Sequence, residues 1–191
     1  MQNDIEELNK NMTGMSVEFE LGYLLYYFVI SKAKSSNRVG RDSEPFIIIE
    51  TGTNKGYSSI CMALALRDAD INGKIFTMDV TDFGTKSWID KFGLNAKFEF
   101  KLGNSLQLLP ELIKNIKYCD VFFHDSQHSF QTAVAEFDIV KDKIYHEGIA
   151  LFHDIYTDHR MMHIYEYMKS LKDWNTVIFP SNKGLLLSVR K

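Results

Sequence analysis

Phe46-Ile-Ile-Ile-Glu-Thr-Gly-Thr-Asn-Lys-Gly-Tyr-Ser58 is the stretch that decides the fold. Its four apolar residues, three of them β-branched, read as a strand buried on both faces. The strand ends on Glu50, a tight turn follows at Gly52, and Gly56-Tyr-Ser-Ser59 opens a helix with Ile60, Ala63, Leu64 and Leu66 on its apolar side. A buried strand, a glycine-bearing turn and a helix N-terminus together build a site for a nucleotide-like ligand. The dinucleotide fingerprint places a middle glycine where the backbone approaches a pyrophosphate. Here Thr53-Asn54-Lys55 fill that interval, which argues against the usual dinucleotide. Taken alone, the stretch is also compatible with a ligand-free βα turn whose glycines only satisfy backbone geometry.

Downstream, strand and helix patterns alternate. Lys74–Asp79, Lys97–Leu102, Asp120–Asp125 and Gly148–His153 read as further strands. Ser105–Lys117 is helical, with Leu109, Leu112, Ile113 and Ile116 on one face. A helix from Ser129 presents Phe130, Ala133, Val134, Phe137 and Val140, and Asp158–Leu171 reads as another helix. Asn175–Phe179 and Leu185–Val189 flank Pro180-Ser-Asn-Lys-Gly184 and suggest a C-terminal hairpin. The expected fold class is therefore α/β: a Rossmann-like, doubly wound, mostly parallel sheet of about seven strands ending in an antiparallel hairpin. One domain spans 1–191, with residues 1–44 as an N-terminal helical extension and 45–191 as the ligand-binding core. In the extension, Val17–Lys34 reads as a helix followed by a polar loop at 35–40. Two readings stand for that helix: packing on the sheet, or a lid that brings Glu20 or Tyr23 near substrate.

Composition excludes more than it identifies. The 191 residues are 45% hydrophobic and 25% charged, ordinary for a globular domain with a sizeable core. A formal charge of −3 gives no electrostatic reason to expect nucleic acid or an anionic membrane as partner. Cys61 and Cys119 are too few for a disulfide framework, which fits a reducing compartment. The longest apolar run, Leu21–Ile30, is too short to span a bilayer, and no signal-peptide pattern opens the chain. The expectation is a cytoplasmic protein; its apolar N-terminal helix could support a homodimer.

Open parallel sheets bind ligands beyond the carboxyl ends of their strands. Those ends carry Glu50, Asp79, Asn104, Asp125 and Asp154, so a polar or acidic group stands at all five. Asp79 is placed to accept two hydrogen bonds from a ribose diol, or else serves only as a turn former. Asn104 or Ser105 could meet an adenine edge, or cap the following helix. His124, on a central strand, reads as a core histidine, and His146, His159 and His163 have no spacing that demands a role.

Glu50-Thr-Gly-Thr-Asn-Lys-Gly-Tyr-Ser58 resembles the first motif of class I S-adenosylmethionine (SAM) dependent methyltransferases, where an acidic residue precedes the first glycine. Phe122-Phe-His-Asp-Ser-Gln-His-Ser129 and Gly148-Ile-Ala-Leu-Phe-His-Asp154 narrow the resemblance to a branch of small O-methyltransferases. That branch is similar to catechol O-methyltransferase and to enzymes that methylate antibiotic sugars, and the likeness covers residues 46–155. It implies SAM as cofactor, with Glu50, Gly52, Thr53, Gly56, Ser58, Asp79, Asn104, Ser105 and Asp125 around it. The helix N-terminus at Gly56–Ser58 would receive the SAM carboxylate. The acceptor would be a small hydroxylated molecule whose identity is not readable. Phe83, Trp88 and Tyr156 would suit a ring, or simply pack. The resemblance further implies a divalent cation such as Mg2+ on Asp125 and Asp154, and His128 as general base assisted by Asp125.

Two positions depart from the pattern. Ile155 stands where catechol-type enzymes carry an asparagine that completes the metal site, and His153 stands where other members have an acidic residue. A metal-free version therefore stays open, in which Asp125 orients His128 and Asp154 positions substrate. Two other classes of function also remain: a NAD- or nucleotide-binding enzyme of Rossmann type, and a SAM-binding protein without catalysis.

Overall fold

The computed structural model describes residues 2–12, 17–35, 43–157 and 159–191. Most of the 35–40 loop expected from sequence, and Asp158, lie outside them. In chain order the elements are α1 (Gln2–Asn11), α2 (Phe19–Ala33), β1 (Phe46–Thr51), α3 (Tyr57–Asp68), β2 (Gly73–Asp79), α4 (Lys86–Lys91) and β3 (Phe98–Leu102). There follow α5 (Ser105–Lys114), β4 (Cys119–His124), α6 (Phe130–Val140), β5 (Ile144–Phe152), α7 (His163–Ser170), β6 (Trp174–Phe179) and β7 (Leu185–Arg190).

Among the described residues seven strands form one sheet, in the order β3-β2-β1-β4-β5-β7-β6. The pairings from β3 through β5 are parallel, whereas β7 runs antiparallel to both β5 and β6. Strand order reverses beside β1, whose neighbours are β2 on one side and β4 on the other. β1 is buried along its whole length because it is covered twice. Phe46 and Ile48 face a core shared with α1, α2, α3 and α4, while Ile47 and Ile49 face a core shared with α5, α6 and α7. This period-2 division of one apolar run between two cores is the reason the run contains no polar residue before Glu50.

α3 departs from the one-sided helix expected from sequence. Every residue from Tyr57 to Leu66 is buried, because the sheet covers one side and α2 the other. Gly22 of α2 permits that approach: a Cβ there would overlap the ring of Tyr57. The Tyr57 hydroxyl donates to Asn9 Oδ1 (2.6 Å) and to the Phe19 carbonyl (3.1 Å), joining both N-terminal helices to the start of α3. Of the two readings of the N-terminal helix, the packing one needs correction: α2 packs mainly on α3 rather than on the sheet. Glu20 is exposed, and Tyr23 packs against the core α2 shares with α3.

Other boundaries moved for local reasons. α1 was not foreseen; Ile5 and Leu8 bury one side of an otherwise polar helix. β5 starts at Ile144 rather than Gly148, passing through Glu147 at φ 64° and a shift in its register with β4. α7 starts at His163, since the residues described from Ile155 to Met162 form turns. α5 ends at Lys114, three residues early.

Candidate functional site

The loops at the carboxyl ends of β1, β2, β3 and β4 enclose a cleft of about 400 Å³ at the point where strand order reverses. That volume falls among small-molecule sites, which run ~300–1,000 Å³. Gly52, Asp79, Asn104, Ser105, Asp125 and His128 line it, together with Asn54, Val80, Phe83, Leu106, Ser126, Gln127 and Thr132. A second, much smaller recess shares Asn54 and Asp125 with the cleft and is lined also by Val17, Thr53, Lys55, Tyr57 and Ser58. Glu50 and Gly56 line neither.

The glycine turn is dictated by crowding. Gly52 has φ 90°, and a Cβ there would collide with the Asp125 carbonyl. Only glycine lets the end of β1 lie against the end of β4. Gly56, at φ 87°, caps α3, and its missing Cβ leaves room for Thr85. Beneath the turn, the fully buried Glu50 accepts hydrogen bonds from the hydroxyls of Ser58, Ser59 and Thr77, and Thr53 pairs with Thr77 at 2.6 Å. Burial pushes the Glu50 carboxyl up to about 7, against the opposing pull of those hydroxyls. Glu50 and Ser58 thus hold the turn from below. Their hydrogen bonds run to each other, and the cleft is formed by the backbone above them.

Asp79 accepts from the backbone N–H of Asn54 (2.8 Å) and of Thr81 (3.0 Å), which fixes its carboxylate at the cleft edge. Each oxygen retains a lone pair for a ligand hydroxyl. Asn104 caps α5 by accepting from Leu106 N–H at 2.9 Å, as the capping reading expected, and it also lines the cleft. Phe83 lines the cleft, whereas Trp88 stacks on Phe92 and Tyr156 packs beside Gly184.

Asp125 and His128 line one end of the cleft, and the buried Asp154, outside the lining, converges with them there. One potential ligand atom from each lies within 4.8 Å of the others, and His128 Nε2 stands 3.2 Å from Asp154 Oδ2. Asp154 occupies a left-handed backbone position (φ 60°) two residues after the end of β5. Among the described residues its buried Oδ1 has no hydrogen-bond donor; the Lys183 ammonium is 3.7 Å away. The ring of His153 lies behind this group. Nδ1 faces Asp125 Oδ1 at 2.9 Å and Nε2 faces Glu18 Oε2 at 2.8 Å. Burial alone would lower its pKa, but the bonds and charges of Asp125 and Asp154 outweigh that effect and push it up to about 10. Both ring nitrogens thus face carboxyl groups, an arrangement that favours a positive charge on His153, while burial pushes the Asp125 carboxyl above its usual range against the pull of that ring. Asp154 is desolvated too, yet His153, His128 and Lys183 hold it below the usual carboxylate range.

Sequence reasoning missed Glu18 and Lys183. Glu18 Oε1 also accepts from the Lys183 backbone N–H at 3.0 Å, so the start of α2, the end of β5 and the β6–β7 turn meet around His153. These partners are 135 and 165 residues apart, and no local pattern announces them. Glu136 was missed as well, although it left a signal: a glutamate on the apolar face of α6, three residues after Ala133 and four before Val140. His124 is a buried core histidine as expected, and it is bonded to Glu136.

Comparison with known proteins places this cleft in context. A methyltransferase domain family model matches residues 49–155, more than half of the chain. Caffeoyl-CoA O-methyltransferase 2 of Petunia hybrida is 40% identical over 74 residues, and a caffeoyl-CoA O-methyltransferase of Pinus taeda is 41% identical over 71. The matched segment is 37% of this chain but only 29% of the Petunia protein. Among solved structures, an O-methyltransferase from Bacillus cereus in complex with S-adenosylhomocysteine (SAH) superposes with a TM-score of 0.78 at 20% identity. That superposition covers 99% of this chain and 91% of the other. The O-methyltransferase TomG from Streptomyces achromogenes, in complex with SAM, gives 0.73 at 17%, covering 100% and 88%.

Proposed function

Because the chain belongs to the methyltransferase domain family, we propose that it is a SAM-dependent O-methyltransferase acting on a hydroxyl of a small molecule. One observation carries the reading. A cleft at the topological switch point has a ribose-type carboxylate, Asp79, on its wall and the Asp125, His128 and Asp154 group at its end. The relatives' names and the ligands in the solved neighbours support it. The missing middle glycine argues against NAD.

The residues present fit the cofactor. Gly52 lets the ends of β1 and β4 close up at the cleft, Asp79 keeps free lone pairs, and Asn104, Ser105 and Leu106 offer a polar edge and an apolar face for a base. Bound SAM supplies an electrophilic methyl on a sulfonium. The protein must bring an acceptor oxygen in line with it and take the proton. His128 is half-exposed at the cleft, and Asp154 at 3.2 Å orients its ring and stabilises the imidazolium that forms. Asp125, held by His153, presents its carboxylate to the same space.

The same group also fits a divalent cation, since the orphaned Asp154 Oδ1 and the chemistry of two carboxylates and an imidazole suit one. Asp125, His128 and Asp154 would hold it, with His128 then a ligand in place of its role as base, and the cation would supply the lowering of the acceptor hydroxyl's pKa. An imidazole in the set favours Mn2+ or Zn2+ over Mg2+. The test of the activity is SAH release from SAM, with and without Mn2+, across hydroxylated aromatic acceptors including a caffeoyl thioester. Methylated product supports the proposal. SAM binding with no product from any acceptor would favour a SAM-binding protein without catalysis.

A further inference from the structure

Glu136 lies on α6, outside the cleft, and is completely buried. Its carboxylate collects donors from several rim segments at once. Oε2 accepts from Thr51 Oγ1 at the end of β1 (2.6 Å) and meets His124 Nδ1 at the end of β4 (2.6 Å). Oε1 accepts from Ser126 Oγ in the β4–α6 loop (2.8 Å) and from Ser105 Oγ at the start of α5. Ser105 and Ser126 both line the cleft, and Thr51 immediately precedes Gly52. A single acceptor-only group therefore fixes the strand ends and loops that form the floor of the site.

We infer that Glu136 is a positioning residue for the cofactor: by tying Thr51, Ser105, His124 and Ser126 to one carboxylate, it preorganises the cleft for the nucleoside of SAM. The inference rests on the cofactor reading above. A buried carboxylate without such donors would be costly, and this one has more than enough to stay ionised. Burial would raise its pKa, but the His124 ring and the Ser105 and Thr51 hydroxyls outweigh burial and hold it below the usual range. Among the described residues the buried His124 Nε2 has no partner, so the bond this ring makes there is the one to Glu136. The Glu136 carboxylate itself is fully partnered, by three hydroxyls and the His124 ring, and a buried polar centre satisfied in this way holds one geometry.

Glu136→Gln tests this, because the amide keeps the shape but turns one of the two acceptor oxygens into a donor facing donors. SAH binding is measured by calorimetry for the whole chain at a temperature where thermal melts show wild type and variant fully folded. Wild type must bind SAH; if it does not, the cofactor reading fails and Glu136 is not the cause. With wild-type binding in hand, the variant should bind SAH at least roughly tenfold more weakly, the order expected when charge-assisted hydrogen bonds are lost. A variant that melts earlier but binds SAH as tightly as wild type makes Glu136 a stabilising residue only and overturns the inference. Ser105→Ala keeps the question open to refutation if Glu136→Gln does not fold, and where it folds the pair forms a double-mutant cycle. If Ser105 acts through Glu136, Ser105→Ala weakens SAH in the wild-type background and adds little on top of Glu136→Gln. Ser105→Ala without effect on SAH, or fully additive with Glu136→Gln, contradicts the mechanism.

Discussion

Gly52→Ala is the perturbation whose cost the structure defines best. Two terms act on it. Gly52 sits at φ 90°, and an L-residue in left-handed backbone costs roughly 1–2 kcal/mol. The second term is steric. The new methyl would fall on the Asp125 carbonyl and 2.7 Å from the Ser126 amide nitrogen, where ordinary contacts are about 3.5–4.0 Å. Both obstacles are backbone, so the ends of β1 and β4 must part by roughly 1 Å, at an overpacking cost of about 1–3 kcal/mol. The sum is about 2–5 kcal/mol. Gly84→Ala isolates the first term, because Gly84 has φ 81° and nothing within 4 Å of a built Cβ. Urea unfolding should give a Gly84→Ala loss of about 1–2 kcal/mol and a Gly52→Ala loss larger by the steric term. For a chain of this size the Gly52 variant should melt lower by about 4–20 °C. Parting these strand ends also displaces Asp125, so SAH affinity should fall in the Gly52 variant and hold in the Gly84 variant. Equal losses for the two variants would refute the claim that backbone crowding, and not φ alone, demands glycine at position 52.

Further outcomes follow from the same geometry. A carboxyl whose pKa is raised on folding stabilises the protein fully below its unfolded pKa and loses that contribution as pH rises through the folded value. With Glu50 moved from 4.5 to about 7, wild-type stability should decline between pH 4.5 and 7, by up to about 3 kcal/mol relative to Glu50→Gln, in urea midpoints taken across that range. Parallel pH curves for the two proteins would show that Glu50 ionises normally. His128→Ala should lower turnover by about 10²–10⁴ and leave SAH affinity nearly unchanged; full activity would remove His128 from the chemistry. Mn2+ should raise the melting temperature of wild type and leave that of Asp154→Asn unchanged, whereas an equal rise in both would place any cation elsewhere.

Much of this architecture is legible in the chain because its signals are local. A β-branched run that meets Gly52 forces strand and turn, and the apolar periodicity of residues 130–140 forces α6. The carboxylates at the strand ends reach one rim because parallel strands share a direction, so topology alone gathers Asp79, Asp125 and Asp154. Sequence reading is weaker on which way a rim side chain turns. Glu50 looks like a ligand-facing acid, yet Ser58, Ser59 and Thr77 draw it inward. α1 escaped because two buried apolar residues in ten leave little periodicity to read. The Glu18–His153–Asp125 chain escaped because it is tertiary throughout, joining an N-terminal segment to two strand ends.

The central claim is that the cleft beside β1 is a SAM site. Its most direct test is calorimetric titration of the purified chain, freed of copurified ligand, with SAH and, separately, with NAD. The account predicts saturable binding of SAH that Asp79→Ala weakens, and no binding of NAD. Tight binding of NAD with none of SAH would contradict it and return the cleft to the nucleotide-binding enzymes.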